Sequence, residues 1–268
     1  MERRKLNFSR IIFIVSFIIF CISFYNIIIW ISDKKRNEFL INSLQNTTIV
    51  EDVYDNMRTE VIQSEEVNNS YYWSYIKTNL MNVNFENLKQ KNNETVGWLK
   101  VNGTNINYPF VQTNDNDFYL NHSFDKSKNN AGWVFLDYRN NINSFDKNTI
   151  IYAHGRKDST MFGSLNYIID NEWLDNPDNF LIKMSTETTN TLWQVFSIYI
   201  IETTNDYIRI SFNDNKDFID FSKKLLNRSV FNFNTSVNEN DNILTLSTCY
   251  NSHEKMVVHA KLIKQELK

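Results

Sequence analysis

The sequence predicts a mainly β domain behind a membrane-crossing helix, and three observations lead there. From Val96 onward, roughly eight short β-branched and aromatic runs alternate with turn residues, which is the pattern of a barrel or a sandwich. A single amphipathic stretch, Lys216 to Leu226, interrupts them late in the chain. Near the N-terminus, residues 11–32 carry no charged side chain and are mostly Ile, Phe and Val.

Composition sets the outer bounds. A chain of 268 residues can bury one ordinary domain after a membrane segment and its stalk are subtracted. The 20 Phe, 13 Tyr and 6 Trp suit strands, where aromatic side chains are enriched. Glycine (5) and proline (2) are scarce, so the abundant asparagine supplies turns, since it tolerates the left-handed region. A net charge of −3 speaks against a general nucleic-acid binder. The 2 cysteines, Cys21 and Cys249, form no disulfide framework, because one lies in the apolar run and the other near the C-terminus.

At about 1.5 Å per residue, residues 11–32 span the ~30 Å hydrocarbon layer. A cleaved signal peptide is the alternative. The run is longer than a signal's apolar core, and no small-x-small cleavage site follows it. An uncleaved anchor is expected. Arg3, Arg4, Lys5 and Arg10 precede it while Lys34, Lys35 and Arg36 follow, a slight bias toward an inside N-terminus and an outside domain. Residues 1–10 are then a cytoplasmic tail and 33–79 a helical stalk or linker, with loose three-and-four apolar spacing in Glu38–Leu44, Val50–Val61 and Tyr71–Met81. Trp73, Ile76 and Leu80 are the face expected to pack on the following domain, residues 80–268.

Within that domain, Val96–Val101 leads into Asn102-Gly103, a hairpin signal, and Ile106–Val111 returns, with Pro109 suggesting an edge or a bulge. Gly132–Leu136, Thr149–His154, Phe180–Met184, Thr191–Ile201 and Tyr207–Phe212 read as further strands. The helix at Lys216–Leu226 presents Phe218, Ile219, Phe221 and Leu225. Asn242–Cys249 and Lys255–Ile263 close the chain.

The chemistry-bearing candidates are few. Thr245, Ser247 and Cys249 share one strand face, because side chains alternate with period two. A cysteine at a strand end is either a buried structural thiol or, with a histidine elsewhere, a nucleophile. Of the 4 histidines, His154 ends an apolar strand just before Gly155, where a strand opens into a loop. His259 reads as a strand residue, and His122 and His253 as loop residues. On the last strand, Lys255, Val257, His259 and Lys261 share one face; Met256, Val258, Ala260 and Leu262 share the other. If the second set faces the core, Lys255 stands beside the strand that carries Cys249, as a donor to that site or as an ordinary solvated lysine. The histidines lack zinc-site spacing, Asp115-Asn116-Asp117 lacks the glycine and glutamate of a calcium loop, and there is no glycine-rich phosphate loop, so no cofactor is expected.

Five collinear segments resemble the class B sortases, membrane-anchored cysteine transpeptidases of Gram-positive bacteria. They are Val96-Gly97-Trp98-Leu99 with Gly103-Thr104-Asn105-Ile106-Asn107-Tyr108-Pro109; Asp115-Asn116-Asp117-Phe118-Tyr119-Leu120; Ile151-Tyr152-Ala153-His154-Gly155 with Met161-Phe162-Gly163-Ser164-Leu165; Thr245-Leu246-Ser247-Thr248-Cys249; and Val257-Val258-His259-Ala260-Lys261-Leu262. The resemblance implies a sortase-like, roughly eight-stranded barrel over residues 80–268 with N-terminal helices and one late inserted helix. It implies that His154 and Cys249 are the catalytic pair, with Ser247, Thr248, Tyr250 and Asn116 as candidate substrate contacts. One departure stands out: the family carries an arginine before the final apolar strand, and this chain has Lys255 there. Lysine is a point charge without the planar fork of a guanidinium, so either Lys255 takes the task or Arg209 of a neighbouring segment does.

By this resemblance, Cys249 attacks a carbonyl in the C-terminal sorting signal of a secreted protein, His154 protonates the leaving amine, and an amine of a peptidoglycan precursor resolves the thioester. Two alternatives remain open at the level of sequence. One is a thiol endopeptidase in which water resolves the thioester; the other is a catalytically weak anchored β-domain that binds peptides.

Overall fold

The computed structural model describes residues 8–62 and 70–268. Its first element, α1 (Phe8–Thr47), is one continuous helix whose apolar first half is exposed all round and is long and apolar enough to cross a membrane. Beyond Trp30 the helix becomes polar and narrows to one inward stripe of Asn37, Ile41 and Leu44, the spacing of a helix lying on a core. Short elements follow: β1 (Val50–Val53), β2 (Thr59–Val61), α2 (Ser70–Tyr75), β3 (Leu80–Val83) and α3 (Glu86–Lys91).

Here the structure departs from the helical reading of the segment after the anchor. Val50–Val61 is two short strands, β1 pairing antiparallel with β3 and β2 lying on the edge of the last strand. Short isolated helices are marginal in water, so two available strand edges win over loose helical spacing. Asn56 turns the chain between them, accepting at its carbonyl from the Thr59 N–H (3.0 Å). The expected helix at Tyr71–Met81 stops at Tyr75, and Leu80 and Met81 enter β3 instead. Its buried face is shifted by a residue: Tyr72 and Tyr75 are inside, while Trp73 is half exposed.

The barrel itself matches the expectation. Its strands are β4 (Thr95–Val101), β5 (Asn107–Val111), β6 (Phe135–Leu136), β7 (Asn148–Tyr152), β8 (Leu181–Thr186), β9 (Thr189–Glu202), β10 (Ile243–Cys249) and β11 (Glu254–Leu267), with the short α4 (Asn171–Leu174) and the inserted α5 (Asn215–Arg228) between them. The order around the sheet is β10-β7-β6-β5-β4-β8-β9-β11, and an antiparallel β10–β11 pairing closes it. Pro109 is tolerated in β5 because β6 pairs only at Val111, which leaves position 109 without a partner on that side. At the β4–β5 turn Gly103 has φ +67°, a left-handed conformation, and a Cβ there would collide with the Asn179 amide.

Two apolar layers decide which strand faces are buried. Leu244 and Leu246 of β10 and Met256, Val258, Ala260 and Leu262 of β11 point into the barrel. The opposite face is covered by α5: Ile243, Val257, Phe196 and Tyr199 pack under Phe218, Phe221 and Leu225. The face that carries Val257, His259 and Lys261 is therefore also buried, with His259 fully inside. Tyr207–Phe212 is a loop rather than the predicted strand. The Tyr207 and Arg209 carbonyls accept from the buried Asn148 amide (3.2 and 2.9 Å) and so are satisfied without a strand partner.

Candidate active site

Strands β7 and β10 are parallel neighbours with Ser247 opposite Tyr152. Two residues further along each chain, at the same end of the sheet, stand Cys249 and His154. Parallel neighbours lie about 4.8 Å apart, so this register brings the cysteine and the histidine to one level. Gly155 permits the approach: a Cβ there would collide with the Cys249 carbonyl oxygen. The Thr248 hydroxyl ties the two strand ends together by donating to the Ala153 carbonyl (2.8 Å).

The third member comes from β11. Cys249 and Lys255 are the last pair of the β10–β11 hairpin, and the Lys255 ammonium donates to the Cys249 sulfur at 3.0 Å. The connecting loop is short because Asn251 closes it, its side-chain oxygen accepting from the N–H groups of His253 (2.8 Å) and Glu254 (2.9 Å). Strand alternation sets Lys255 on the face it shares with Val257, His259 and Lys261, and the strand register sets it against the sulfur.

His154 is oriented from its other side. Its Nε2–H donates to the Leu120 carbonyl (2.6 Å). A carbonyl can only accept, so the proton sits on Nε2 and Nδ1 is the nitrogen left for proton exchange. Leu120 is itself held by a short turn in which the Asp115 carboxylate accepts from the N–H groups of Asp117 and Phe118 (2.8 Å each). These bonds hold the Asp115 carboxyl below its ordinary pKa and give Asp115-Asn116-Asp117 a turn-forming task.

Cys249, His154 and Lys255 open onto a groove of about 510 Å³, and Ser247, Thr248 and Asn116 line it as well. Tyr250 does not: it is exposed in the turn after Cys249, where its N–H donates to the Glu254 carbonyl (2.9 Å). Arg209, the rival cation, is engaged elsewhere. Its guanidinium donates twice to Asp217 at the start of α5 (2.9 and 2.6 Å), and it is not part of the groove lining.

Sequence reasoning missed one wall. Thr203, Thr204, Asn205, Tyr207 and Ile208, from the loop between β9 and α5, also line the groove. Reading Tyr207–Phe212 as a strand concealed this; the Asn205-Asp206 pair just before it was the available turn signal. Tyr207 bonds Ser247 (2.9 Å), and burial raises its phenol above the usual pKa. Arg139 fixes the same loop by donating to the Ile208 carbonyl (3.0 Å) while it bonds the buried Asp137 (2.7 Å). Burial alone would raise the Asp137 carboxyl, but the bonds from Arg139 and from the Tyr152 hydroxyl (2.9 Å) hold it low.

Behind Cys249 runs a polar chain whose donors and acceptors are all assignable. The Asn148 amide nitrogen is committed to carbonyls, so its oxygen accepts from Thr245 (2.6 Å). The Thr245 oxygen then accepts from His259 Nδ1–H (2.8 Å), and His259 Nε2 accepts from the Tyr199 hydroxyl (2.8 Å). His259 is neutral, its pKa pushed down to about 3 by burial and by the charge of Arg228. Among the described residues no group of His, Cys, Asp or Glu could hold a metal ion.

Known proteins resemble this chain in sequence and in fold. A family model described as the sortase domain matches residues 99–263. Sortase B of Listeria monocytogenes is 39% identical over 182 residues, covering 66% of this chain and 72% of that protein. A Bacillus anthracis crystal structure described as similar to sortase B superposes with a TM-score of 0.68 at 34% identity, covering 86% of this chain and 97% of that one. A Staphylococcus aureus sortase B–substrate complex superposes with a TM-score of 0.63 at 35% identity, covering 67% and 84%, and a further similar structure is sortase B complexed with triglycine.

Proposed function

The chain belongs to the sortase family, and on that premise we propose that it is a class B-type cysteine transpeptidase acting through Cys249, His154 and Lys255. The observation that carries the reading is the convergence of three strand ends: a thiol, a histidine at the same level, and an ammonium 3.0 Å from the sulfur. In the first half-reaction the Cys249 thiolate attacks the carbonyl carbon of a peptide bond in the sorting signal of a secreted protein. The oxygen of the tetrahedral intermediate carries the negative charge, and the Lys255 ammonium stabilises it. The C–N bond then breaks, His154 gives a proton to the departing amine, and a thioester remains on Cys249. In the second half-reaction a cell-wall amine attacks the thioester carbon and passes its proton to His154. The C–S bond breaks and a new amide forms.

The substrate and triglycine complexes of the relatives support a peptide donor and an amine acceptor. Ser247, Thr248 and Asn116 are proposed to contact the donor peptide, together with Tyr207 of the β9–α5 loop. Residues 11–32 are proposed to anchor the chain with residues 1–10 inside and the barrel, residues 80–268, on the extracellular side. The segment between them, proposed in the sequence reading as a stalk, packs on the barrel through Asn37, Ile41 and Leu44.

The test is intact-protein mass spectrometry of the full chain mixed with secreted proteins. An acyl adduct on Cys249 that is absent from Cys249→Ala and discharged by triglycine supports transfer. Discharge at the same rate without the amine would favour a thiol endopeptidase, and no adduct at all would favour a binding domain.

A further inference from the structure

We propose that α1 is rigidly docked on the wall that carries His154, so that this end of the barrel rests on the bilayer surface and the groove is held just above the headgroups. The proposal rests on the anchor reading of residues 11–32. Two sets of contacts support it. At the point where α1 leaves the apolar run, the Trp30 ring lies under the Arg156 guanidinium, 5.7 Å from its centre. Arg156 follows His154 by two residues and is itself fixed by Asp158 (2.8 Å) and Thr160 (3.1 Å). Further along the helix, Asp33 accepts from the N–H of Asn130 (3.2 Å) and from the Asn129 amide (3.3 Å), and Arg36 pairs with Asp125 (3.2 Å).

The second set reaches toward the histidine. Asn37 is fully buried; its amide donates to the Gly132 carbonyl (3.3 Å), and its oxygen accepts from Ser123 (2.8 Å) and Asn129 (2.9 Å). Gly132 packs against the very carbonyl that orients His154: a Cβ there would lie 2.9 Å from the Leu120 oxygen and 3.0 Å from His154 Cδ2. A helix satisfied this fully by side-chain bonds to a loop does not swing freely on it.

Depth follows from helix geometry. Tryptophan marks the membrane–water boundary, and the apolar run ends within two residues of Trp30. Asn37 is seven residues beyond it, which at ~1.5 Å each places Gly132 and His154 about 10 Å from that boundary. The headgroup layer occupies roughly 5–7 Å of this distance. Lys128 and Lys157 are exposed at the same end, where anionic headgroups would attract them.

The experiment uses the full chain in vesicles of phosphatidylcholine and phosphatidylglycerol carrying a headgroup nitroxide. In a Cys21→Ser, Cys249→Ala background, a fluorophore is attached at Lys157→Cys or, as the distal control, at Glu187→Cys. Glu187 pairs with Lys89 of α3, and Lys91 of the same helix bonds Thr47 at the far end of α1, about 25 Å along it from Trp30. Loss of fluorescence at 157 but not at 187, reversed by a glycine–serine linker inserted between Ser32 and Asp33, supports the docking. Co-flotation with vesicles but equal quenching at both positions, or quenching at 157 that the linker does not relieve, overturns it. Failure to co-float would overturn the anchor reading itself.

Discussion

Replacing Lys255 by alanine tests the electrostatic part of the mechanism most directly. Its ammonium is 3.0 Å from the Cys249 sulfur and faces it across the last pair of an antiparallel hairpin. Under the proposed mechanism, an oxygen bonded to the carbon under attack by Cys249 would therefore form within reach of the same donor. Losing one such preorganised donor costs about 2.7–4 kcal/mol, or roughly 10²–10³ in rate. Lysine is a hydrated point charge on a flexible stem, so the loss should fall near the lower figure, about 10² in kcat. Lys255 is only half-buried at a strand end, and truncations of this kind change stability by ~0.5 kcal/mol or less, about 2 °C in Tm. The assay is turnover of a quenched fluorescent sorting-signal peptide with triglycine as acceptor, run beside thermal melting. Lys255→Arg should retain or raise turnover, because the fork is the better oxyanion donor. Arg209→Ala is the control: its guanidinium is spent on Asp217, so turnover should stay near that of the parent. Unchanged turnover in Lys255→Ala would refute the assignment, and a loss confined to Arg209→Ala would move the cation to the neighbouring loop.

Three further outcomes are expected. Gly155→Ala forces a methyl group against the Cys249 carbonyl, which as backbone cannot yield cheaply; overpacking of this kind costs about 1–3 kcal/mol, and both denaturant midpoint and turnover should fall, whereas parental values for both would contradict the close β7–β10 approach. Thr245→Val leaves His259 Nδ1–H and the Asn148 oxygen without their partner, so urea unfolding should show a loss of about 1–3 kcal/mol, and a neutral result would mean the buried chain is not satisfied as drawn. His259 has a folded pKa of about 3 against 6.5 when free, so between those values the unfolded chain binds the extra proton. Its contribution is complete above pH 6.5 and is lost as pH falls toward 3, at up to about 1.4 kcal/mol per pH unit. Urea midpoints at pH 7.5 and 5 should diverge less in His259→Gln than in the parent, and equal divergence would sink the point.

Much of the barrel was legible because strands carry period-two alternation and turns carry their own chemistry. The β-branched runs, Asn102-Gly103 and the amphipathic α5 all report local geometry, and local geometry is what a sequence encodes directly. The pattern also turned Lys255, His259 and Lys261 to one face and Met256, Val258, Ala260 and Leu262 to the other, as observed. What alternation does not encode is what lies on the far side of each face. The second face is buried under α5, so His259, legible only as a strand residue, is fully enclosed and neutral.

The site divides the same way. A lone cysteine and a histidine at strand ends, with the five family segments, marked Cys249 and His154 from the chain alone. Only the parallel β7–β10 register puts them at one level, and only the short Asn251-closed hairpin puts Lys255 rather than Arg209 at the sulfur. The wall from Thr203 to Ile208 was illegible because its backbone is satisfied by Asn148 and Arg139, residues remote in sequence. The same holds for Val50–Val61 and for α1, whose fates depend on strand edges and on the Asn129–Gly132 loop. Hydropathy marks the apolar run of α1, but its docking is made by long-range hydrogen bonds, which exist only once the barrel has closed.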